Sequence, residues 1–148
     1  MLRQVAIFLM FLLISTNLLS QTSSEEVMFF SRKNQISKFY NISELEALKK
    51  GELIKIYQKR LEEVVTMLPF LSLTNEAGVK LSDVGIKEDS RHTKVLKGSK
   101  ESSQKFLAET NLAIEELVAY ADTQKIIRTI LYYEEFIKKM RIGVNGNL

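Results

Sequence analysis

Between Ser90 and Met140, apolar side chains recur at helical spacing. Counted at about 100° per residue, however, the stripe they form changes sides by about 180° at Asp122. One straight rod cannot turn opposite faces to a single core. The chain therefore has to reverse near Ala121-Asp122-Thr123, with Asp122 capping the rod that follows. Two antiparallel helices joined by a short turn are the expected result.

Before the reversal, Asp89 or Ser90 is the expected cap. Val95, Leu96, Phe106, Leu107, Ala113, Ile114, Leu117 and Val118 make the apolar face of that helix. After it, from Thr123 to Met140, the face consists of Ile126, Ile127, Ile130, Leu131, Tyr133, Ile137 and Met140. Leu117 and Ile130 are both expected in the core. Gly143 is the expected stop, and Lys138, Lys139 and Arg141 suit the negative end of the helix dipole.

An earlier helix follows from Leu53, Ile56, Tyr57, Leu61, Val64, Val65 and Leu68, which cover nearly half the circumference. A stripe that wide fits burial against two neighbours. Ser43 and Glu46 stand at capping-box spacing before it, and Pro69 disfavours helical geometry at Leu68. Val27 to Tyr40 is only loosely amphipathic, because Arg32 and Lys33 intrude on the side shared by Phe29, Ile36 and Tyr40; a further N-terminal helix is expected there. Residues 69–89 read as an irregular insertion or a small hairpin pairing Phe70–Leu73 with Val79–Ser82. The expected fold is all-α: an antiparallel bundle of three long helices, a less regular N-terminal helix, and that one insertion.

The first twenty residues carry an address. Arg3 and the amino terminus precede an apolar run, Val5 to Ile14, and polar residues lead out to Ser20. That order of charge, short apolar centre and small exit residue is expected of a secretory signal cleaved after Ser20. An uncleaved anchor is the rival, although the run is about half the length of a membrane span. The expected organisation is a signal at 1–20 and one helical domain at 21–148, exported to the periplasm or the medium. After cleavage no transmembrane helix is expected.

Composition removes several chemistries. The chain has no cysteine, so thiol catalysis, a disulfide framework and a thiolate zinc site are all excluded. A formal charge of +3 with Lys and Glu interleaved speaks for solubility, and no nucleic-acid partner is expected. One histidine and no Glu-x-x-His leave nothing for a carboxylate-bridged metal centre. Glu63 and Glu115 fall off the apolar stripes of their helices. No catalytic residue, metal site or cofactor is expected.

Three groups of residues remain. His92, Ser99, Ser103 and Thr110 project within about 40° of one another, forming a polar seam on the long helix. The seam is either the wall of a small-ligand groove or a set of small side chains that let helices approach. Glu134 sits on the apolar face of the last helix; an ion pair with Lys138 or Arg141 accounts for it better than proton transfer does. Arg91, Lys94, Lys97 and Lys100 form a basic stripe suited to an acidic protein or an anionic envelope surface. The leading functional expectation is a non-enzymatic exported module acting by protein or envelope-surface contact. A small-ligand-binding bundle is the alternative.

Overall fold

The computed structural model describes residues 26–143. The expected signal segment and its cleavage point lie outside them. Among the described residues there are four α-helices: α1 (Ile42–Glu46), α2 (Lys50–Met67), α3 (Ser90–Leu117) and α4 (Thr123–Ile142). The fold is an all-α bundle, and no described helix is long and apolar enough to cross a membrane.

The reversal lies where the stripe changes phase. A 3-10 turn at Val118–Tyr120 ends α3, and the Asp122 carboxylate accepts from the Gln124 and Lys125 backbone N–H groups to open α4. Its far end closes on Gly143, whose φ of 82° favours glycine; a Cβ there would meet the Asn75 amide at 2.9 Å. The Asn75 side chain donates to the Arg141 carbonyl at 2.7 Å, supplying a partner for one of the last carbonyls of α4.

The helix expected after Ser43 is split in two. Asn41, rather than Ser43, is the first cap, and it exchanges hydrogen bonds of 2.9 Å with Glu44. A second start follows at Lys49, whose N–H donates to the Glu52 carboxylate at 2.9 Å. Met67 ends α2, and the Pro69 ring is accommodated in a 3-10 turn at Leu68–Phe70.

Three clusters make the core. Leu53 packs with Leu45, Ile126, Ile127 and Ile130. Val64 and Met67 pack with Leu96, Ile137 and Met140. Leu61 packs with Leu107 and Ile114. Early residues of α2 thus meet early residues of α4, so these two run the same way, with α3 antiparallel to α2.

Among the described residues, the helix expected over Val27 to Tyr40 does not form. Residues 27–41 hold one 3-10 turn, Arg32–Asn34, and otherwise irregular backbone. Helical spacing there failed because Phe29, Phe30 and Ile36 are the residues this segment buries, and they recur at no single period. The expected hairpin is also replaced. Met28 bridges Lys80, and the Phe29, Gly78 and Leu81 N–H groups donate to Val79, Phe30 and Val27 carbonyls at 3.0–3.1 Å. The partner of 78–81 is therefore the N-terminal segment, not Phe70–Leu73.

Long α3 departs from expectation most. Of its expected face only Leu96, Leu107 and Ile114 are buried. Val95, Phe106 and Leu117 are 67%, 52% and 69% exposed, and Ala113 is exposed too. α3 has too few neighbours to cover an apolar arc of that width.

Candidate functional site

The first concentration of polar groups joins α2, α4 and the irregular segment. Arg60 and Glu63 on α2 and Glu134 on α4 are buried. Arg60 donates to one Glu134 oxygen from Nε at 2.9 Å and from Nη2 at 2.7 Å, and Nη2 also reaches the Lys38 carbonyl at 2.7 Å. The second Glu134 oxygen accepts from Tyr40 N–H at 2.9 Å. Glu63 and Arg141 repeat the device about one turn along α2 and about two turns along α4. Arg141 donates from Nε and Nη2 to the two Glu63 oxygens at 2.8 and 2.9 Å. Ile36 gives its N–H to Glu63 at 2.6 Å and takes a hydrogen bond from Arg141 at 2.8 Å.

These two pairs clamp residues 36–40 by their backbone. Side-chain charges replace the ladder that a strand would supply, and the guanidinium groups also lie 5.3 Å from the Tyr40 and Phe39 rings. Each buried carboxylate is thus held by a guanidinium and by a backbone N–H.

That arrangement corrects two readings. Glu134 pairs with Arg60 across the bundle, while Lys138 pairs with Glu135 and Arg141 with Glu63. Glu63 faces inward, not outward. Sequence reasoning missed Arg60 and Glu63 as buried groups and Arg141 as the partner of Glu63, because each resembles an ordinary surface charge. The only available signal was that Arg60 borders the apolar stripe at Tyr57, Leu61 and Val64.

The polar seam does not converge. Asp89 caps the start of α3, and the His92 ring in the first turn lies 3.0 Å from both the Lys87 carbonyl and the Asp89 carboxylate. The His92 backbone N–H, at 2.9 Å, holds the Asp89 carboxyl below its usual range, with the ring adding to the effect. Ser99 and Thr110 are half-buried along α3. Ser103 lines a cavity of about 420 Å³ with Phe29, Phe30 and Phe70 on its apolar side and Lys100 and Gln104 at its edge. Of the five residues first singled out for ligand binding, Ser103 alone lies there.

Arg91, Lys94 and Lys97 are exposed, whereas Lys100 is half-buried at the cavity. Lys97 lies 3.6 Å from the Glu26 carboxylate. Spaced by three, these four wind around α3 rather than sharing one face.

The outer face of α3 is the second concentration. Val95, Phe106, Ala113 and Leu117 fall within about 40° of one another, roughly 90° from the buried Leu96, Leu107 and Ile114. They form a line along the helix about 33 Å long. No protein-family model, curated protein or solved structure matches this chain. Among the described residues, no three metal-ligating side chains cluster. The chemistry on offer is therefore an internal clamp, a modest cavity and an apolar line in solvent.

Proposed function

We propose that the protein is an exported, non-catalytic helical module that works by contact with another protein through the outer face of α3. The observation that carries this reading is the exposed line of Val95, Phe106, Ala113 and Leu117. Single exposed apolar residues are ordinary, but an ordered row along one helix leaves apolar area that a second surface would remove from water. Among the described residues, the buried carboxylates are held in ion pairs and the His92 ring lies at the start of α3, so no set is assembled for catalysis. Export is supported by the charged, apolar and small-residue order of the first twenty residues.

A protein suits this face better than an anionic envelope surface. Arg91, Lys94 and Lys97 open α3, but Glu101, Glu109, Glu115 and Glu116 follow, so a surface of one sign is repelled by half the helix. A photoreactive residue placed at position 106 in living cells tests the reading. A discrete protein adduct is expected, with no flotation of the purified protein on anionic vesicles. Absence of any protein adduct, or flotation comparable with a basic amphipathic peptide, overturns it.

The cavity beside Ser103 supports a second reading, a carrier for a small amphipathic ligand. Its three phenylalanine rings would take an apolar body and Ser103 and Gln104 a polar end. A ligand that raises the melting temperature, with the rise abolished by Ser103→Leu, is the expected result of a small-molecule screen. A screen without any such ligand removes this reading.

A further inference from the structure

The exposed line on α3 has an internal symmetry. Val95 and Leu117 each stand eleven residues from Phe106, and Ser99 and Ala113 each stand seven from it. Eleven residues return the helix to within about 20° of the same face, so the order survives reversal of the helix end for end. The charges on the flank beside this line follow the same rule with the sign inverted. Lys94 and Lys105 precede Phe106 and Glu109 and Glu116 follow it, at nearly matching distances. All four are exposed, and none forms an ion pair within the chain among the described residues.

We propose that the partner of this face is a second copy of the chain, with the two α3 helices packed antiparallel about a twofold axis at Phe106. The proposal rests on the reading of the outer face as a contact surface and names its occupant. In this pairing Phe106 meets Phe106, and Val95 meets Leu117 of the second copy. Ser99 faces Ala113 of the second copy, and both are small enough to let the backbones approach. A twofold axis across antiparallel helices brings the same flank of each helix together. Lys94 then stands level with Val118 of the second copy, about 3 Å along the axis from the second copy's Glu116. Lys105 stands level with Leu107 of the second copy, again about 3 Å from the second copy's Glu109. Four oppositely charged approaches result across the dimer. Parallel pairing instead lays this charged flank beside the opposite flank of the second copy, where Leu96, Leu107 and Ile114 are buried, and makes none of these approaches. The interface is isologous and closes at two copies.

Because the chain has no cysteine, single-cysteine variants report this register directly. Under mild oxidation Phe106→Cys is expected to form a disulfide-linked dimer, since its two copies face each other. Val95→Cys alone and Leu117→Cys alone are expected to stay unlinked, and mixing the two is expected to give a linked dimer. Sedimentation of the unmodified protein is expected to show twice the monomer mass. Phe106→Glu, a change at an exposed position, is expected to weaken association about tenfold or more while leaving the circular dichroism unchanged. Lys94→Glu is expected to weaken it too, and Lys94→Glu with Glu116→Lys to restore it. A monomer at about 100 µM overturns the proposal, as does Val95→Cys linking to itself as readily as Phe106→Cys. A monomer that still yields a discrete adduct from position 106 in cells removes the second copy as occupant and leaves the contact face standing.

Discussion

Glu134 holds Arg60 through a single carboxylate oxygen, at 2.9 Å from Nε and 2.7 Å from Nη2, in a position from which water is almost excluded. The other oxygen accepts from the Tyr40 N–H, and Arg60 Nη2 also donates to the Lys38 carbonyl. This ion pair is therefore half of a clamp that takes the place of secondary structure for residues 36–40. Glu134→Ala leaves Arg60 charged and buried without a counter-ion and is expected to cost about 3–5 kcal/mol in urea unfolding. Arg60→Met with Glu134→Leu removes the charge problem, yet the Tyr40 N–H and Lys38 carbonyl lose their partners. The double variant is expected to lie between the wild type and Glu134→Ala.

Arg141 is the more exposed member of the second pair, with its side chain 28% accessible against 1% for Glu63. Arg141→Ala is expected to cost about 3 kcal/mol, the low end for breaking such a pair, because water reaches the site. The loss is expected to be local before it is global. Exchange of the Ile36 amide hydrogen should accelerate more than that of amides in the middle of α2. Equal acceleration at both places would argue against a clamp specific to the irregular segment.

Ile130 is fully buried, and Ile130→Ala is expected to cost about 2–5 kcal/mol. Leu117 is 69% exposed, and at concentrations where the chain is monomeric Leu117→Ala is expected to change unfolding by less than about 0.5 kcal/mol. Denaturant midpoints of the two variants separate a residue that holds the fold from one that is free to serve contact.

That contrast marks where the sequence was legible. The reversal at Asp122 follows from phase, a local property, whereas Leu68 keeps helical geometry before Pro69 and the chain runs on into a 3-10 turn. The faces of Leu96, Leu107 and Ile114 and of Ile126, Ile130 and Ile137 follow from periodicity. Periodicity states that a residue is apolar on one side; it does not state how many neighbours that side has. Phe106 and Leu117 therefore read as core although α3 leaves them in water. Ile36, Glu63 and Arg141 meet across 27 and 105 residues of sequence, and a contact of that range leaves no local pattern. Asn41 displaced Ser43 as cap because either residue type can fill that role and only the entering backbone decides between them.

Tyr133 gives the fold a dependence on alkaline pH. Burial, with the Tyr57 phenol beside it at a ring separation of 5.4 Å, pushes its hydroxyl up from 10.0 to about 12. The unfolded chain therefore loses this proton first as pH rises. The contribution is fully present below pH 10 and is lost between pH 10 and about 12. Tyr133 is only half-buried, so screening keeps the loss modest. Tyr133→Phe is expected to flatten this part of the stability profile. An unchanged slope would place the alkaline sensitivity elsewhere.

In the proposed function, α3 holds the fold with one face and meets a partner with another. The most direct measurement places a photoreactive residue in turn at positions 95, 106, 113 and 117 and at 97, 101, 108 and 115 on the opposite side, and scores protein adducts in cells. Adducts confined to the first four are predicted. Adducts spread evenly over all eight positions, or found at none, would contradict the account.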